Sequence, residues 1–185
     1  MKKAKMSKND KVKMIAVIAV FTALALALDW VAGLYSSPFW SKGGSISIAM
    51  VPIFIMGYHY GLLGGLVTGF LVGTIQILWG YVLGFGQVCL DYILPYTVLG
   101  LVGIFSNTVL SSKGVKQALY IIIPILIVCI IRTLSHVLSG IIYFETPFWA
   151  SLAYNGPFMA ISTPLCIILV IILINRLKFI IKEEK

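Results

Sequence analysis

The stretch from Arg132 to Asn155 reads RTLSHVLSGIIYFETPFWASLAYN. It contains two bases, one acid, one amide and five aromatic side chains, in a chain that is otherwise almost uncharged. Arg132 and His136 are four residues apart, so on a helix they share a face, which Ser139 and Tyr143 continue. Charged side chains inside apolar segments are costly, usually face the interior of a helix bundle, and mark functional sites. We therefore expect the other helices to pack around this stretch.

The composition of the chain is that of a membrane protein. Of its 185 residues, 60% are hydrophobic and 11% are charged, and the mean hydropathy is +1.03. Soluble domains carry about 25% charged residues, so a water-soluble fold is excluded. The three cysteines lie in apolar segments without a CxxC spacing, which favours buried hydrophobic side chains over metal or redox chemistry. The sequence predicts an all-α integral membrane protein.

Six apolar segments predict six transmembrane helices. They cover residues 14–28, 46–56, 62–79, 88–105, 117–144 and 150–174. The first also resembles a signal peptide, but the segments that follow favour a membrane helix. The second is shorter than the roughly 20 residues that span a bilayer, so it must tilt or be completed by its flanks. We assign residues 14–178 to a six-helix membrane domain, with a basic cytoplasmic tail at 1–13 and a cytoplasmic tail at 179–185.

The distribution of basic residues orients these helices. Of 14 lysines and arginines, six lie in the amino-terminal tail, two between residues 106 and 116, and four after residue 175. Because cytoplasmic loops carry an excess of Lys and Arg, both termini are predicted to be cytoplasmic. The loops at 29–45, 80–87 and 145–149 then face outward. Topology thus explains the net charge of +8, and no nucleic-acid partner is expected.

Two segments carry small residues on one helical face. The first segment has Ala16, Ala19, Ala23 and Ala27, and the third has Gly65, Gly69 and Gly73, with Gly61 just before it at the same spacing. Small residues let helices approach closely in a membrane, where van der Waals packing replaces the hydrophobic drive. The glycine face predicts a close helix contact. The alanine face is either a packing seam within the bundle or a surface for another protein.

The polar residues of the predicted outer half indicate a ligand site. Asp91 and Arg132 are the acid and the base that stand inside apolar spans, so we expect them to lie near each other. The alternatives are a purely structural ion pair and, for His136, a hydrogen-bonded core residue. With an amide and aromatic rings, these residues suit a flat, nitrogen-rich, cationic small molecule. The expected lining is Asp91, Arg132, His136, Asn155, Tyr81, Tyr92, Phe144 and Trp149.

No catalytic motif is present in the sequence. It contains no nucleophile elbow, HExxH motif, P-loop or paired catalytic carboxylates. We therefore expect neither an enzyme nor a bound metal or cofactor. The polar residues stop partway along the predicted spans, which disfavours a channel. Active transport would need a partner that supplies a nucleotide site.

Four segments resemble one family of membrane proteins in order along the chain. They are GGSISIAMVPIF (43–54), QVCLDYILPYTVLGLVGIF (87–105), HVLSGIIYF (136–144) and SLAYNG (151–156). They are similar to the thiamine-specific S components of energy-coupling factor (ECF) transporters, the ThiT/YuaJ family. The resemblance covers nearly the whole chain and implies a six-helix protein of the bacterial cell membrane with an outward vitamin pocket. It also implies a function: high-affinity binding of thiamine outside the cell, and delivery together with a membrane-embedded coupling subunit and two ATPases.

The resemblance assigns roles to residues of the expected site. Asp91 stands where the family has a glutamate opposite the thiazolium ring, with Tyr92 beside it. Arg132 matches a basic position that is paired with this acid. His136 matches a histidine near the pyrimidine ring, and Asn155 an amide that recognises the aminopyrimidine.

Further positions match outside this group. Tyr81 and Trp40 correspond to aromatic residues of the outer loops. Ala19 and Ala23 correspond to the small-residue face by which S components dock on the coupling subunit. The resemblance therefore favours partner docking over internal packing for the alanine face.

Three positions depart from the family pattern. Asp91 is one methylene shorter than glutamate, Phe144 replaces a tryptophan that would stack on the cation, and Ala150 replaces a pocket tyrosine. Phenylalanine is a weaker cation–π partner than tryptophan, and Trp149 or Tyr154 would have to compensate. A thiamine precursor, an analogue or another vitamin therefore remains an alternative ligand. A ligand-free membrane scaffold is the alternative from another class.

Overall fold

The computed structural model describes residues 8–40 and 43–182, with side chains up to residue 177. Within these ranges every regular element is helical, and five helices are long and apolar enough to cross a membrane. They are α1 (Lys8–Ser36), α2 (Met50–Gln76), α3 (Phe85–Ser111), α4 (Gly114–Tyr143) and α5 (Phe148–Lys182). The predicted all-α membrane fold is confirmed, with five continuous helices in the described part of the chain where six separate ones are predicted.

Helix α1 continues through much of the segment that the sequence assigns to the first outer loop. It ends at Ser36, two residues before Pro38, in keeping with the bias of the residue before a proline against helix. Asp29 is therefore a helical residue and not the first residue of a loop, which corrects the prediction for residues 29–45. The helix also begins at Lys8, inside the predicted amino-terminal tail.

The two faces of α1 have different surroundings. Its buried residues form one stripe, made of Ile18, Thr22, Ala25, Ala32 and Ser36. The alanine face lies on the other side of the helix, where Ala16, Ala19, Ala23 and Ala27 are all exposed. This face is therefore not a packing seam within the described part of the chain.

Helix α2 reverses direction at Gly61. The backbone there has φ 72° and ψ −166°, a conformation that glycine tolerates because it has no Cβ. Met50 at the start of α2 and Gln76 at its end line the same cavity, whereas a straight helix of 27 residues would separate them by about 40 Å. The predicted second and third segments are thus two arms of a hairpin without a loop between them.

The glycine face of the second arm of α2 touches the backbone of α3. A Cβ added at Gly69 would lie 2.2 Å from the carbonyl oxygen of Tyr96, and one at Gly73 would lie 2.4 Å from that of Tyr92. These distances are too short for a side-chain atom, so the predicted close helix contact is confirmed. The contact fixes the position of two tyrosines that line the cavity.

Helix α3 changes its winding twice. A π turn at Cys89–Ile93 precedes Pro95, and the wider turn fits the proline because it has no N–H for the carbonyl four residues earlier. A tighter 3-10 stretch follows at Val98–Phe105. Ser106–Ser111 is again α-helical, so about half of the predicted loop at 106–116 belongs to α3.

The remaining connections are short. Residues 112–113 join α3 to α4, and residues 144–147 join α4 to α5. Helix α5 runs to Lys182 and therefore enters the predicted carboxyl-terminal tail. The rest of that tail, residues 1–7 of the other tail, and Lys42 of the first loop lie outside the described residues.

Candidate functional site

A cavity of about 770 Å³ lies among the helix ends on one side of the bundle. Its walls come from the ends of α1, α2 and α4, the starts of α3 and α5, and residues 43–49 before α2. Small-molecule pockets measure about 300–1,000 Å³. The cavity therefore has the size of a ligand site, at the end of the bundle that the basic residues predict to face outward.

Asp91 reaches the cavity from the π turn of α3. Its Oδ2 accepts hydrogen bonds from the Gln87 amide at 2.7 Å and the Ser139 hydroxyl at 2.6 Å. Its Oδ1 lies 3.2 Å from Nδ1 of His136. Polar donors stabilise a carboxylate without cancelling its charge, so the Asp91 carboxylate can bind a cationic group. Such π turns often occur at functional sites.

Arg132 does not pair with Asp91, which corrects the prediction. Its guanidinium carbon lies 4.0 Å from the ring centroid of Tyr96, and within the described ranges no carboxylate oxygen forms a salt bridge with it. The reason is the register of α3 against α4. His136 is level with Asp91, whereas Arg132 lies one helical turn away and is level with Tyr96.

Asp29 is a second carboxylate of the cavity, which the sequence did not predict. It accepts hydrogen bonds from the Tyr96 hydroxyl at 3.3 Å and from the Gln76 amide. The same amide donates to the Tyr96 hydroxyl at 2.7 Å. A signal was present in the sequence, because Asp29 continues the helical spacing of the buried residues Ala25 and Ala32.

His136 and Asn155 supply further polar atoms. Nε2 of His136 is buried and has no hydrogen-bond partner in the described part of the chain. If Nδ1–H donates to Asp91, Nε2 is an acceptor. The amide nitrogen of Asn155 donates to the Ser151 carbonyl at 2.9 Å, which leaves the amide oxygen to accept a second donor. Both residues line the cavity.

Aromatic rings form the wall near Asp91. The rings of Tyr81 and Phe144 lie 5.9 Å apart. The hydroxyl of Tyr92 donates to the Tyr81 carbonyl at 2.9 Å, which ties the loop after α2 to α3. All three residues line the cavity.

A second aromatic group closes the cavity beside the first loop. The indole N–H of Trp40 donates to the Tyr154 carbonyl at 3.0 Å, and the Tyr154 hydroxyl donates to the Gly43 carbonyl at 2.8 Å. Trp40 also packs edge-on against Phe158, with 5.8 Å between ring centroids. These contacts hold the loop over the start of α5.

Trp149 is the one predicted lining residue that does not lie in the cavity. Its side chain is 76% exposed and packs against Phe148, 5.0 Å away. Ala150, the next residue, lines the cavity. The start of α5 therefore faces the cavity with a small side chain and not with an aromatic ring. This corrects the prediction that Trp149 contributes a ring.

The fold and this cavity define a multi-pass membrane protein with a ligand-binding site at one end of its helices. A family model described as "Thiamine transporter protein (Thia_YuaJ)" matches residues 15–182. The curated protein "Thiamine transporter ThiT" of Bacillus subtilis (strain 168) is 32% identical over 193 residues, which cover 97% of this chain and 100% of that protein. The chain therefore belongs to the Thia_YuaJ family.

A solved structure has the same fold. That of ThiT from Listeria monocytogenes matches with a TM-score of 0.77 at 21% identity, over 93% of this chain and 98% of that chain. The relatives are named as transporters and not as enzymes. The chain is accordingly a multi-pass protein of the bacterial cell membrane.

Proposed function

We propose that this protein is the substrate-binding subunit of a vitamin uptake transporter, that it binds thiamine in the cavity from outside the cell, and that it delivers thiamine together with an ATP-driven ECF module. The carboxylate of Asp91 carries this proposal. It stands in an aromatic-lined cavity, held by Gln87, Ser139 and His136, without an arginine or lysine partner among the described residues. The relatives that bear the name thiamine transporter support the choice of vitamin.

The chemistry of thiamine fits the arrangement of these side chains. The thiazolium ring carries the positive charge, and beside Asp91 it would also lie near the rings of Tyr81 and Phe144, which attract cations. The aminopyrimidine ring has both donors and acceptors. His136 and Asn155 offer it the unpaired atoms described above. Charge and hydrogen bonding would then orient the ligand in one direction.

The proposed orientation in the membrane has six passes and two cytoplasmic termini. The reversal at Gly61 supports six passes, because each arm of α2 then counts as one. Twelve of the 14 basic residues lie in the two tails and the segment at 106–116, all on one side in this arrangement. The cavity then opens to the outside of the cell, from which the vitamin would bind.

The exposed alanine face of α1 is the proposed docking surface for the membrane-embedded coupling subunit. Ala19 and Ala23 are exposed, and a row of small side chains permits close approach of another helix within a bilayer. Two ATPase subunits would act through that coupling subunit. The protein itself then needs no nucleotide site.

A thiamine precursor or analogue is a second candidate ligand. The position of Trp149 favours this alternative. Phe144 and Ala150 provide less aromatic surface than the tryptophan and tyrosine of the family pattern, and the exposed side chain of Trp149 does not make up for the difference. A ligand-free scaffold is less favoured, since it would have no use for a cavity that holds the charge of Asp91.

Ligand titration of the detergent-purified protein tests the proposal. Intrinsic fluorescence is a suitable signal because Trp40 and Trp79 line the cavity. Thiamine should change it saturably, whereas riboflavin and biotin should not. If a precursor responds and thiamine does not, the second candidate is correct. If no vitamin responds while the protein stays folded, the scaffold alternative gains support.

The variant Asp91→Asn tests the role of the carboxylate. A charge pair at about 4 Å and an effective dielectric of about 20 contributes roughly 4 kcal/mol, so thiamine binding should weaken by at least about a hundredfold. A neutral isostere, in which carbon replaces the thiazolium nitrogen, should lose much less. Glu145→Gln is the matched control, because Glu145 is exposed and lies outside the cavity lining. Equal losses for both ligands would contradict the proposed role of Asp91.

A further inference from the structure

Three charged side chains line the cavity: Asp29, Asp91 and Arg132. With His136 neutral and both carboxylates ionised, their charges sum to one negative charge. The guanidinium needs a counter-ion, because an unpaired charge at this depth is strongly destabilising. Which carboxylate serves Arg132 therefore decides which one is left for a ligand.

The surroundings of Asp91 favour a free charge. Its three hydrogen-bond partners are an amide, a hydroxyl and an imidazole nitrogen. Arg132 sits one helical turn away on α4 and faces a different residue of α3. The carboxylate of Asp91 is thus positioned by polar groups, and the guanidinium of Arg132 does not neutralise its charge.

The surroundings of Arg132 lead to Asp29 instead. The guanidinium of Arg132 lies over the ring of Tyr96, and the hydroxyl of the same tyrosine donates a hydrogen bond to Asp29. Arg132 is 8% exposed, and its Nε and Nη1 atoms lack hydrogen-bond partners in the described part of the chain. Its charge is therefore balanced by the tyrosine ring and by Asp29 across it, without a direct salt bridge.

We propose that Asp29 is the counter-ion of Arg132, held across Tyr96, and that this arrangement leaves the charge of Asp91 to select a ligand with a single positive charge. The choice of ligand rests on the proposed function. The pairing itself differs from that implied by the family resemblance, in which Arg132 serves the acid at position 91. Asp29 is then a positioning residue that acts on the ligand through Arg132 and Tyr96.

Double substitutions distinguish the two pairings. The variants are Asp29→Asn and Asp91→Asn, each alone and each combined with Arg132→Met. Asn keeps the size of Asp and an acceptor for the Tyr96 hydroxyl. Affinities for thiamine and for the neutral isostere are measured by the same titration, and thermal unfolding is measured for every variant.

The pairing with Asp29 predicts a specific rescue. Asp29→Asn should weaken thiamine binding at least about tenfold, roughly 1.4 kcal/mol, because Arg132 then repels the cation, while binding of the neutral isostere changes by less than about twofold. Adding Arg132→Met should restore thiamine binding to within about twofold of the parent. Asp91→Asn should stay weak with or without Arg132→Met. Rescue of Asp91→Asn, or no rescue of Asp29→Asn, overturns the proposal.

Stability decides the matter where binding cannot. If Asp29→Asn alone fails to fold, recovery of folded protein in the double variant supports the pairing, and no recovery overturns it. If the parent protein does not bind thiamine, the proposed function fails, but the thermal midpoints still test the pair. Removal of both charges should then be better tolerated than removal of Asp29 alone.

Discussion

The contact between Gly69 and Tyr96 makes a sharp prediction for the variant Gly69→Ala. The added methyl group would lie 2.2 Å from the Tyr96 carbonyl oxygen and 3.1 Å from the Thr97 Cα atom. Both are backbone atoms, so α2 and α3 would have to separate by about 1 Å to reach ordinary van der Waals distance.

The size of the effect follows from two opposing contributions. Overpacking costs about 1–3 kcal/mol, and a rigid backbone contact belongs at the upper end. Replacing glycine by alanine in a helix contributes about 1 kcal/mol in the other direction. The net loss is about 2 kcal/mol, which for a chain of this size lowers the melting temperature by about 4–8 °C.

The same shift should reach the ligand. Tyr96 supports Arg132 with its ring and Asp29 with its hydroxyl, so moving its backbone should weaken thiamine binding by roughly tenfold. Gly156→Ala is the matched control, since nothing lies within 4 Å of a Cβ at that helical position and Gly156 is outside the cavity lining. Thermal unfolding and ligand titration in one detergent measure both effects. If the two variants behave alike, the close packing of α2 against α3 is refuted.

Three further predictions concern the docking face and the aromatic residues. Ala19→Trp should abolish uptake in cells yet leave thiamine binding by the purified protein unchanged; surviving uptake would refute docking through this face. Trp149→Phe should keep the ligand-dependent fluorescence change, whereas replacing both Trp40 and Trp79 by Phe should remove it, and the reverse result would return Trp149 to the site. Phe144→Trp should tighten thiamine binding roughly two- to fivefold by a stronger cation–π contact, with no gain for the neutral isostere; an equal gain for both would indicate simple packing.

Much of this fold could be predicted because the bilayer limits the choices. A span must be long and apolar, so the approximate positions of the helices follow from hydropathy. The spacing of Gly69 and Gly73 is a local pattern, and it predicts the contact that forms with α3. The placement of Asp91 and His136 in one cavity likewise follows from their motifs.

The rest depends on partners that are distant in sequence. A charged residue after an apolar run ordinarily suggests the end of a span, yet Asp29 stays in helix because Gln76 and Tyr96 bond its carboxylate. Similarly, the neighbour of Arg132 depends on how far α4 slides along α3. One turn separates the expected contact with Asp91 from the observed contact with Tyr96. Spacing within one helix does not determine this offset.

The reversal at Gly61 also bears on how the chain is made. The helical arm from residue 50 to residue 60 is about 16 Å long, about half of the hydrocarbon thickness, so it makes a full pass only together with the non-helical residues that precede it. It must enter as a hairpin with the arm that follows. The non-helical segment before it needs partners as well, and the backbone N–H of Ser47 finds one in the Ser162 hydroxyl of α5 at 2.9 Å. The cavity can therefore be completed only after α5 has left the ribosome.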